Sequence, residues 1–114
     1  MKANARELLS RLPGSVTATW PEGERFVQAF GHGSMSVELY APVGTDPQSP
    51  HSQDELYFVI SGTGRFVSGE RRMSFEPGTV LFVPAGQPHR FENFSPDFTT
   101  WVVFWGPDGG EHEA

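Results

Sequence analysis

Apolar residues fall along this chain in short runs separated by turn-forming residues. Met35, Val37 and Leu39 alternate with Ser36, Glu38 and Tyr40, the period-two pattern of a strand with two unlike faces. Glu55 to Ile60 is different. Tyr57 and Val59 share one side, Leu56, Phe58 and Ile60 share the other, and both sides are apolar. Such a strand must be covered twice, by an interior on one side and by a helix or a second subunit on the other. Further strands are predicted at Val16 to Trp20, Phe26 to Phe30, Arg65 to Ser68, Met73 to Phe75, Thr79 to Val83, His89 to Asn93 and Phe98 to Trp105. Pro21-Glu22-Gly23, Gly31-His32-Gly33, Ser61-Gly62-Thr63-Gly64, Gly69-Glu70, Pro77-Gly78 and Pro84-Ala85-Gly86 punctuate them as turns. One helical pattern stands at the start: Asn4 with Glu7 three positions on, then Leu8, Leu9 and Leu12, stopped by Pro13-Gly14.

Composition sharpens this picture. A length of 114 residues suits one domain, large enough to bury a core without staples. With 13 Gly and 10 Pro set among aromatic and β-branched runs, the chain reads as an all-β sandwich or barrel. The expected division is an N-terminal helical extension over 1–15, a barrel over 16–106 and a flexible acidic tail over 107–114. The absence of cysteine rules out disulfides and thiolate ligands, leaving His, carboxylate and amide groups for any metal. No signal-like or membrane-spanning apolar run is present, so a soluble, cytoplasmic protein is expected. A net charge of −6 repels a phosphate backbone, and nucleic acid is not an expected partner. Arg71-Arg72 is read as a solvated turn.

Two segments carry chemistry. His51-Ser52-Gln53-Asp54-Glu55 holds two ligand types for divalent metals. Four residues of straight strand span about 13 Å, so the chain must bend before both side chains reach one ion. The second segment runs from Gly78 to Asn93 and places Gly78, Pro84, Gly86, His89 and Asn93 at fixed offsets. These match, position for position, the second signature of the cupin superfamily, Gly-x5-Pro-x-Gly-x2-His-x3-Asn. The first cupin signature is matched in part: Glu55 and Gly62 have the required spacing, His51 falls on the second histidine, and Ser49 stands where the first would be. The chain from Met35 to Phe104 thus resembles a small single-domain cupin.

The resemblance implies a double-stranded β-helix, or jelly-roll, barrel. It also implies a metal held by His51, Glu55 and His89, with Gln53 as a fourth candidate. The ion would be Fe, Mn, Ni or Zn, and Asn93 would fix backbone geometry. Tyr57, Phe91, Trp101 and Val103, with Trp105, alternate in phase within their strands and are expected to line the ligand pocket. The function expected is binding, or acting on, a small organic molecule in the barrel, with oxygenase, isomerase or lyase chemistry all compatible. The alternatives are a non-catalytic ligand-binding or sensing cupin and a metal-free structural dimer. Leu56 to Ile60, apolar on both sides, predicts a homodimer. His32 and His112 are read as surface and tail residues.

Overall fold

The computed structural model describes residues 1–112. One short helix, α1 (Ala5–Leu9), precedes eight strands: β1 (Phe26–His32), β2 (Met35–Tyr40), β3 (Asp54–Ser61), β4 (Gly64–Ser68), β5 (Arg71–Phe75), β6 (Val80–Val83), β7 (His89–Glu92) and β8 (Thr99–Trp105). They form one sheet of five strands, ordered β1-β2-β8-β3-β6, and one of three, ordered β5-β4-β7. Every pairing is antiparallel, and the two sheets make the all-β jelly-roll barrel. Among the described residues no helix is long and apolar enough to cross a membrane.

Residues directly opposite one another on paired strands share a face, so register shows what looks inward. Glu38, Val102, Tyr57 and Leu81 form one row across β2, β8, β3 and β6. Tyr57, Leu81 and Val102 are buried, which makes this row the interior one. The next row, Leu39, Trp101, Phe58 and Val80, therefore faces outward, as does the row of Val37, Val103, Leu56 and Phe82. Trp101 and Val103, expected in the pocket, project from the outer face instead, and Trp105 follows the same phase. A shift of one residue swaps every side chain of a strand between faces.

Helix α1 covers part of that outer face. Asn4 caps it, Oδ1 accepting from the Arg6 and Glu7 amides at 3.0 and 3.3 Å, which satisfies two of the free N–H groups of the first turn. The helix packs on β1 and β2. Leu8 is buried there, and Leu39 beneath is fully enclosed; burial of each leucine contributes about 2 kcal/mol. Beyond the helix the outer face stays apolar and open, with Phe58 40%, Val80 55% and Phe82 55% exposed.

One end of the barrel is packed solid with aromatic rings. Phe91 lies 4.8 Å from Phe66 and 4.6 Å from Phe98, centroid to centroid, and Phe98 lies 4.8 Å from Phe75. The opposite end is hollow.

Two expected segments differ. Val16 to Trp20 is not a strand: the Thr17 amide donates to Trp20 O, and the Trp20 amide donates to Thr17 Oγ1. The Thr17 hydroxyl offers the backbone a local partner in place of a ladder, and the turn sets Trp20 at the barrel mouth. The stretch from Pro107, expected to be a flexible tail, is tied to the barrel as far as Glu111. The Gly109 amide donates to Ser52 O at 2.7 Å and the Glu111 amide to Asp54 Oδ2 at 2.9 Å. Residues 113 and 114 of that expected tail lie outside the described residues.

Candidate metal centre

The bend required between His51 and Glu55 is present. β3 starts only at Asp54, and the residues before it are stitched to the Pro84-Ala85-Gly86 turn. The Gly86 amide donates to His51 O at 2.8 Å, and the Ala85 amide to Asp54 Oδ1 at 2.9 Å. Gly86 has φ +78°, a backbone region that glycine enters without strain. The same turn leads into β7, whose first residue is His89. Asn93, four residues on, also adopts a left-handed conformation, with φ 52°, as asparagine does more readily than most residues. The two sequence segments are thus neighbours in space through backbone bonds.

His51, Glu55 and His89 converge. Their ligand atoms all lie within 4.8 Å of one another. His89 Nε2 is 2.7 Å from Glu55 Oε1, and His51 Nε2 is 4.0 Å from Oε2. Glu55 is 1% exposed, yet among the described residues neither of its oxygens accepts a hydrogen bond of good geometry. His89 Nδ1 donates to Gln87 O at 2.8 Å, so Nε2 turns a lone pair toward the carboxylate. Two lone pairs at that distance need a cation between them, a proton or a metal ion. A buried carboxylate without donors is otherwise costly. The donor set of two imidazoles and one carboxylate therefore fits a divalent ion.

Electrostatics differ between the two imidazoles. Burial lowers the pKa of His51, only partly offset by the Glu55 charge, which keeps its imidazole neutral and able to ligate. Burial also acts to lower His89, but its contacts with Glu55 and the Gln87 carbonyl outweigh this and raise it. Burial, with the Glu55 and Asp46 charges, pushes Tyr57 well above its ordinary range. Its hydroxyl keeps its proton and lies 3.0 Å from His89 Nε2.

A cavity of about 400 Å³ has His51 in its lining. Trp20, Phe26, Tyr40, Tyr57, Val102 and Phe104 form its apolar wall, and no Lys or Arg is among its lining residues. Tyr57 is among its lining residues. Phe91 belongs to the packed floor, its ring 4.9 Å from that of Tyr57. Gln53 also borders the cavity, but its amide nitrogen donates to Ser34 O and Gly106 O, both at 2.9 Å. Those bonds anchor it to the rim.

Three polar residues of the site were not singled out by sequence. Glu38 reaches the cavity from β2, its pKa pushed up to about 7 by burial and, secondarily, by the charge of Glu55. Asp46 accepts hydrogen bonds from the Tyr40 hydroxyl and, at 2.8 Å, from the Phe91 amide. Gln48 places Oε1 3.3 Å from His51 Nε2 and 3.1 Å from the Tyr57 hydroxyl. The alternation of β2 was the available signal for Glu38; the proline-rich loop carrying Asp46 and Gln48 has no periodicity to read.

A two-sheet jelly roll with a His/Glu/His cluster at its open end is the architecture of a cupin, and residues 36–105 match the cupin domain family. The chain belongs to that family. It is 42% identical over 85 residues to an uncharacterised protein of Streptomyces coelicolor, covering 73% of this chain and 81% of that one. It is 39% identical over 100 residues to acireductone dioxygenase 1 of Pectobacterium atrosepticum, covering 75% of this chain but only 58% of the dioxygenase. Among solved structures, a cupin 2 conserved barrel domain protein from Salinispora arenicola superposes with a TM-score of 0.58 at 19% identity, over 71% of this chain and 74% of that one. The last likeness concerns the fold.

Proposed function

We propose that the protein is a metal-dependent cupin enzyme acting on a small organic molecule of low charge held in the barrel. The observation that carries this reading is the buried Glu55 carboxylate, whose oxygens accept no hydrogen bond of good geometry from the described residues and face two imidazoles from separate segments. The two-His, one-carboxylate set suits non-haem iron, and Mn, Ni or Zn are the other ions it accommodates. When bound, the ion supplies Lewis acidity and open coordination positions for substrate. Kinship with a dioxygenase favours oxygenation over isomerase or lyase chemistry.

The chain's own residues have separable tasks. Trp20, Phe26, Tyr40 and Phe104 shape an apolar cavity that excludes water and selects a mostly apolar or aromatic ligand. With no cation in its lining, the cavity disfavours a multiply anionic substrate. Glu38, its pKa near 7, is suited to accept or return a substrate proton at neutral pH. Tyr57, fully buried and protonated, donates its hydroxyl hydrogen bond and fixes the centre. We further propose a homodimer formed through the outer faces of β3 and β6, where Phe58, Val80 and Phe82 stand exposed; a patch of this kind marks an interaction surface.

Metal analysis of the purified protein beside its His89→Ala and Glu55→Ala variants tests the metal reading. Wild type should carry close to one ion per chain and both variants far less. Equal, low metal in all three would contradict it. Turnover of a candidate substrate by the loaded wild type, lost on chelation, separates an enzyme from a passive binder.

A further inference from the structure

The family pattern puts its first histidine at Ser49, and that residue is exposed. Its neighbour turns inward instead. We propose that Gln48 supplies the fourth ligand of the metal centre through its side-chain oxygen, an inference that rests on the metal-dependent reading above.

The amide of Gln48 has only one orientation that satisfies both ends. Its Nε2 donates to Asp46 Oδ2 at 2.7 Å, which leaves Oε1 as the atom facing the centre. Oε1 lies 3.3 Å from His51 Nε2 and 3.1 Å from the Tyr57 hydroxyl, which in turn lies 3.0 Å from His89 Nε2. A point among His51, Glu55 and His89 is therefore within reach of a fourth oxygen without refolding the loop. Asp46 is the positioning residue. It accepts from the Tyr40 hydroxyl, from the Phe91 amide at 2.8 Å and from the Gln48 amide at 3.3 Å, besides the Gln48 side chain. Those donors come from β2, β7 and the loop itself, so the carboxylate pins the loop to the barrel wall.

Exchanging an imidazole for an amide oxygen changes the preference of the site without changing its charge. Both donors are neutral, but a carbonyl oxygen suits harder ions such as Mn²⁺, whereas imidazole suits Ni²⁺ and Zn²⁺. The Gln48 centre should accordingly favour Mn²⁺ more than a centre with histidine at the same place.

The test is titration of chelator-treated, full-length protein with Co²⁺, Mn²⁺ and Zn²⁺, followed by calorimetry and, for Co²⁺, by visible absorption. Gln48→Ala should weaken Co²⁺ binding about tenfold or more and alter the Co²⁺ bands, which report coordination. Asp46→Ala should weaken it in the same direction. Gln48→His, which keeps a donor on the loop, should shift the ratio of affinities from Mn²⁺ toward Zn²⁺ and give a Co²⁺ spectrum unlike wild type. Wild-type affinity and spectrum in both Gln48 variants would overturn the inference. If His89→Ala then still abolishes binding, the three-residue centre survives without Gln48. If wild type itself takes up no Co²⁺, Mn²⁺ or Zn²⁺, both readings fall together.

Discussion

Glu38 illustrates how a single side chain couples the cavity to stability. Its carboxyl has an ordinary pKa of 4.5 and is raised to about 7 in the folded barrel, by burial first and by Glu55 second. Between those values the folded state keeps a proton that the unfolded chain has released. Stability must therefore fall as pH rises from about 4.5 to about 7, and level off above. Glu38→Gln should flatten that slope and stabilise the protein at pH 8 by about 2 kcal/mol, a figure reduced for residual solvent screening. Urea denaturation across this pH range measures it; an unchanged slope in the variant would contradict the assignment. The convergence of His51, Glu55 and His89 was legible through the resemblance of their spacing to the cupin signatures, and one bend and one tight turn realise it. Glu38 was not, since a charged residue alternating with Val37 and Leu39 carries no mark of which side is the interior. Gln48 lay hidden in the loop between Pro42 and Pro50, where nothing periodic orients a side chain, and Gln53 stood out only by lying between two ligands.

The strands explain why alternation misleads here. In β2 the polar set of Ser36, Glu38 and Tyr40 looks toward the lumen, while Val37 and Leu39 look outward. In β8 the more conspicuous set of Trp101, Val103 and Trp105 looks outward, and Val102 and Phe104 line the cavity. The usual rule puts apolar residues inside, but this barrel has a partly polar lumen and an apolar exterior covered in part by α1. Both faces hold hydrophobic residues, so the pattern reveals that strands exist and where they end but not which side is inner. Turn chemistry, by contrast, was readable. Gly62, between β3 and β4, has φ +89°, and a Cβ there would come within 2.5 Å of Phe98 Cα. Gly62→Ala should cost about 2 kcal/mol or more and lower the melting temperature clearly; a variant melting with wild type would show that this hairpin tolerates displacement.

At the scale of the whole molecule, the barrel divides its labour along its length. A floor of packed phenylalanines holds the two sheets together, and the open end carries the cavity and the cluster of His51, Glu55 and His89. The outer face of β3 and β6 lies away from both. Phe58→Lys combined with Phe82→Lys should therefore convert a dimer to a monomer in sedimentation while leaving metal content unchanged. A wild type that is already monomeric at micromolar concentration would remove the dimer from the account. The centre itself is tested most directly by anomalous diffraction at the absorption edge of the ion that copurifies with, or is added to, the protein. One peak is expected, about 2 Å from His51 Nε2, a Glu55 oxygen and His89 Nε2. No peak there, or one elsewhere on the molecule, would contradict the proposal that this barrel is built around a metal.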